Sequence, residues 1–113
     1  MNLGDIVHEV RELVNDQFES YRWGNEIILS FLKDSVVRLN NIRPDSRYLN
    51  GRIFDIEWPK DLSAFEIPNE YLRWKQGFVY YASARCLEMD SSDTNNLTLA
   101  QLFMQRAEER FQQ

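Results

Sequence analysis

Few side chains in this sequence are able to do covalent or metal chemistry. His8 is the only histidine and Cys86 the only cysteine. A zinc site needs about four Cys, His or carboxylate ligands at short spacings, and neither residue has such a companion. A nucleophile needs a base within hydrogen-bond reach, and nothing near His8 or Cys86 in the sequence supplies one. Gly4, Gly24, Gly51 and Gly77 are scattered, so no glycine-rich loop is present to cradle a phosphate. Glu9 and Glu12 form an acidic pair, but on an exposed helix face such a pair is simply solvated. The expectation is a protein that is not an enzyme and carries no cofactor and no metal. Cys86 reads as a small buried hydrophobe and His8 as a surface or boundary residue.

One cysteine cannot make an internal disulfide, which predicts a reducing compartment. The opening MNLGDIVHEV is acidic and amphipathic, unlike a signal peptide. No apolar run approaches the roughly 20 residues that span a bilayer, so the chain reads as soluble with no membrane partner. Its 113 residues suit one domain and carry a formal charge of −5. That charge argues against gripping duplex DNA through its phosphates. Lys33, Lys60 and Lys75 are the only lysines, and the remaining basic residues are arginines. Arginine favours bidentate contacts at interfaces, which leans towards a protein that assembles.

The elements that position these side chains centre on Pro68 to Asp90. Asn69 is a candidate cap and Pro68 an early helical residue. Tyr71, Trp74, Phe78, Tyr81 and Ala82 line one side, while Leu72, Val79, Ala84 and Leu87 fill most of the rest. A helix apolar nearly all round is a buried, central one. Arg85 falls on its aromatic side, and two readings stand. It is either a structural arginine, paired with a carboxylate or stacked on Trp74 or Tyr81, or a residue reaching across a subunit boundary.

Helical periodicity predicts further helices over about 4–15, 25–43 and 97–111, with 69–90 as the middle one. In the first, Ile6, Val7, Val10, Leu13 and Val14 form the apolar stripe and Glu9, Arg11 and Glu12 face away. Trp23 sits before the second helix as a hydrophobic staple towards Ile27 or Ile28, and Pro44 ends that helix. The fold class is therefore all-α, a small four-helix bundle-like single domain. Trp23, Phe31, Leu39, Trp74, Phe78, Tyr81 and Phe103 are its expected core. Residues 44–67 form an insertion far longer than the usual connection of about 4–6 residues. Phe54, Ile56 and Trp58 alternate there with Asp55 and Glu57, so the insertion is either a flap over the bundle or a projecting hairpin.

Several stretches then occur in a telling order. Trp23-Gly24-Asn25-Glu26-Ile27-Ile28 opens a helix that closes on Asn41-Ile42-Arg43-Pro44-Asp45. Leu62 and Ile67-Pro68-Asn69-Glu70-Tyr71 lead into the aromatic helix, which ends in Tyr81 to Asp90 before a polar turn and an Ala/Phe-bearing last helix. Over roughly Tyr21 to Phe111 the chain resembles the small head–tail adaptor (connector, or head-completion) proteins of tailed bacteriophages. It departs from them at Gly24-Asn25, where they tend to carry a Thr, Ser or Asp cap.

The resemblance implies a structural virion protein, made in the bacterial cytoplasm and placed at the head–tail interface. It implies a ring of about a dozen copies beneath a portal protein, extending the DNA channel and receiving a stopper or tail-completion protein. DNA would pass through without sequence-specific binding. The candidate subunit or portal contacts are Arg47, Tyr48, Arg52, Phe54 and Ile56 in the insertion, with Arg106, Arg110 and Phe111 in the last helix. The competing reading is a small acidic helical regulatory or binding module of the anti-repressor or inhibitor type. A DNA mimic of that kind would cluster its carboxylates, whereas here they are interleaved with arginine. A helix-turn-helix reader would need an exposed polar recognition helix, which the apolar middle helix does not offer.

Overall fold

Residues 2–15, 23–43, 66, 67, 69–89 and 94–113 are described by the computed structural model. Among them the fold is all-α, with α1 Leu3–Leu13, α2 Asn25–Ile42, α3 Lys75–Met89 and α4 Thr94–Phe111. A 3₁₀ turn over Asn69–Trp74 leads into α3. The described residues form no strand; Asn2 and Glu66 meet in one isolated antiparallel bridge.

Each helix has a local cause. Asn2 and Asp5 make a reciprocal capping box at the start of α1, satisfying two of its otherwise unpaired N–H groups. Leu3, Ile6, Val7 and Val10 then put a buried stripe on one side. The helix ends as Asn15 turns left-handed at φ 56°, a conformation asparagine tolerates better than most residues, with its N–H on Glu12 O. No side chain caps α2 at Gly24, although Glu26 suits the positive end of the dipole. Arg43 closes α2 outside helical geometry, at φ −126° and ψ 89°, as suits the residue before a proline.

The middle helix is central as its sequence predicts: α3 packs on α1, α2 and α4. Its first turns differ from the prediction, because Asn69–Trp74 is wound as 3₁₀ and α geometry begins at Lys75. Three residues per turn eclipse Tyr71 and Trp74, so both rings enter the core on one face, edge to face at 6.3 Å. The last helix starts at Thr94, earlier than the predicted 97. First-turn N–H groups lack helical partners in any case, so Thr94, Asn95 and Asn96 cost little there. The buried hydroxyls of Ser35 and Ser83 donate to Leu32 O and Val79 O in their own helices, leaving neither unsatisfied.

Of the expected core, Trp23, Phe31, Leu39, Trp74, Phe78 and Phe103 are buried. Tyr81 is only half-buried, its hydroxyl held at the rim by Arg85. Arg11, expected to face solvent, is 5% exposed and ties α1 to the start of α2, donating to Trp23 O at 2.9 Å and Asn25 Oδ1. Glu9 is likewise drawn in, paired with Lys75 at 3.0 Å.

Candidate interaction surfaces

Phe111 decides how α4 is held. It was a candidate contact, yet it is completely buried, 5.7 Å from Phe78 between ring centroids. It lies where a Cβ on Gly77 would stand, 2.6 Å from its Cδ1. The absent side chain of Gly77 is the socket for this ring, which makes Phe111 part of the core in this fold. Around the same end, Trp74 carries Arg43 and Arg73 over its ring at 5.7 and 4.7 Å. Their guanidiniums donate to Gln112 O and Gln113 O, the negative end of the α4 dipole. Arg38 adds an ion pair to Glu108. These contacts pin the end of α4 to α2 and α3.

With Phe111 turned inward, α4 shows solvent a different set of residues. Leu99 and Leu102 are 41% and 39% exposed. Arg106 and Arg110 follow at helical spacing and are exposed. Arg106 lies over the ring of Tyr80 at 5.8 Å, and Tyr80 in turn packs on Phe103. Among the described residues neither arginine has a carboxylate at ion-pair distance. This flank is apolar and basic in a chain of net negative charge.

A second surface lies between α2 and α3. Asp34, Val37, Arg38, Asn41 and Tyr81 line an open groove of about 250 Å³, and Val37 is 60% exposed within it. Arg85 borders this groove and explains its own place on an aromatic face. It donates to the Tyr81 hydroxyl at 3.1 Å and to Asp34 at 3.4 Å, approaches Glu88 at 3.8 Å, and lies over Phe31 at 4.8 Å. Burial pulls its pKa down, but the Tyr81 hydrogen bond and the charges of Asp34 and Glu88 outweigh that, leaving it above the ordinary arginine value. Arg85 is thus a constant cation flanked by two partly exposed carboxylates.

Arg106 and Arg110 are the predicted contacts that reach the surface. Arg47, Tyr48, Arg52, Phe54 and Ile56, and the choice between flap and hairpin for 44–67, lie outside the described residues. Leu102 and the groove were missed by sequence reasoning, and Leu99, which periodicity puts on one broad apolar face with Ala100, Phe103, Met104, Ala107 and Phe111, is exposed instead. The two leucines fit a broad apolar stripe equally well on either side of it, and a groove between two helices has no sequence signal.

Cys86 is fully buried, and His8 is exposed and pairs with Glu12 at 2.6 Å. Among the described residues no group of His, Cys, Asp and Glu is placed to hold a metal. No described helix is long and apolar enough to cross a membrane. Compared with known families, curated proteins and solved structures, the chain matches none.

Proposed function

We propose that this chain is a ring-forming head–tail adaptor of a tailed phage. In this reading it docks on the portal protein, extends the DNA channel and offers a stopper or tail-completion protein its attachment surface. The observation that carries the proposal is the order of the sequence matches, from the tryptophan before α2 to the Ala- and Phe-bearing last helix. An all-α domain with interaction surfaces and a net charge of −5 is consistent with it. A negative wall lets DNA pass without being held, because like charge avoids a grip.

The test is negative-stain electron microscopy of the purified protein mixed with a portal protein encoded near it. An additional ring beneath the portal is expected. An unchanged portal overturns the proposal, as does tight binding of the protein to duplex DNA in a low-salt gel shift.

A further inference from the structure

The α4 flank and the α2–α3 groove complement each other. The flank offers Leu99 and Leu102 beside Arg106 and Arg110, two arginines without an ion-pair partner among the described residues. The groove offers exposed Val37 together with Asp34 and Arg38, and at its border Asp34 shares Arg85 with Glu88, at 3.4 and 3.8 Å. Counting Arg38 with its partner Glu108 and Arg85 with Asp34 and Glu88, the groove keeps one negative charge in excess, while the flank, with Glu109 beside Arg106 and Arg110, keeps one positive, each next to an apolar patch.

Spacing agrees as well as charge. Leu102 and Arg106 are about 6 Å apart along α4, at about 1.5 Å per residue. Val37 and Asp34 are about 4.5 Å apart along α2 on the same basis. A leucine seated on Val37 therefore brings the arginine one turn away within reach of Asp34.

The surfaces face different directions around α3. Tyr80 belongs to the flank, packed on Phe103 with Arg106 over its ring, while Tyr81 belongs to the groove, bonded to Arg85. Adjacent helical residues point about 100° apart. A single copy can thus present its flank to one neighbour and its groove to another, which is the arrangement of a heterologous contact.

We propose that copies of this chain associate head to tail, the α4 flank of one seating in the α2–α3 groove of the next. The contact deepens the ring reading and rests on it for closure of the copies into a ring. Its area is that of a few side chains, below the roughly 800 Å² per partner of a stable pair, so free copies associate weakly.

Sedimentation equilibrium of the whole protein up to roughly 1 mM, the weak end of specific association, tests this. The wild-type chain is expected to form species larger than dimers as concentration rises. Arg106→Glu and Asp34→Arg should each weaken association about ten-fold or more through like-charge contact. Both positions are partly or fully exposed, so circular dichroism should show unchanged helix content. Mixing the two variants should restore association, because the reversed flank of one meets the reversed groove of the other. A strictly monomeric wild type, or single reversals that associate normally, overturns the contact. If reversed chains still add a ring beneath a portal, the contact fails and the adaptor reading stands. If copies associate as described but never join a portal, the contact stands and the adaptor reading fails.

Discussion

Gly77→Ala separates a local rule from a tertiary one. By helix propensity alone, replacing glycine inside α3 with alanine should stabilise the protein by about 0.5–1 kcal/mol. The structure reverses the sign. The new Cβ would overlap the Phe111 ring, 2.6 Å from Cδ1, where carbon atoms normally rest about 3.5–4.0 Å apart. The ring has no free side to swing into, being fully buried against Phe78. Overpacking of this kind costs about 1–3 kcal/mol, which leaves a net loss of up to about 2.5 kcal/mol after the propensity gain.

Phe111→Ala removes the ring and should itself cost about 3–5 kcal/mol. In that background Gly77→Ala meets an empty socket and should stabilise by up to about 1 kcal/mol. The two changes therefore couple by the overpacking cost itself, about 1–3 kcal/mol, as expected for residues in contact. Urea unfolding of the four variants, followed by circular dichroism and tryptophan fluorescence, gives the cycle from linear extrapolation. Should Gly77→Ala stabilise the native and the Phe111→Ala protein equally, the socket does not exist and α4 is not seated by this ring.

Two further outcomes can be read in the same assay. Trp74→Ala should cost about 3–5 kcal/mol, since it empties a core site and strips Arg43 and Arg73 of their shared ring; a loss under about 1 kcal/mol would place that ring in solvent. Arg11→Leu should cost about 1–3 kcal/mol by leaving the buried Trp23 carbonyl without this donor, and Arg11→Lys should recover part of it; an unchanged midpoint for Arg11→Leu would mean that the bridge from α1 to α2 contributes nothing.

What the sequence determined by itself was whatever depends on period and composition. Apolar residues on every side of 69–90 can be satisfied only by neighbours on every side, so the central place of α3 was legible without coordinates. The stripe of α1 apart from Leu13, which is 38% exposed, the stripe of α2, the stop before Pro44 and the burial of Trp23, Phe31, Leu39, Trp74, Phe78 and Phe103 follow from the same repeat. The partners of Arg85 were legible in part: a carboxylate and Tyr81 were expected and are there, Trp74 was the other expected ring but carries Arg43 and Arg73 instead, and Phe31 was added by α2 lying alongside.

Only the tertiary structure decided which edge of each stripe faces inward, because period alone leaves boundary positions undetermined. Arg11 was drawn into the core by the Trp23 carbonyl, and Glu9 by Lys75 across the bundle. Phe111 was drawn in by the space above Gly77, a fact about two helices and not about either one. The exposed leucines of α4 and the groove beside Val37 have the same origin. A surface is what remains after packing is complete, and packing pairs residues that are far apart in the chain.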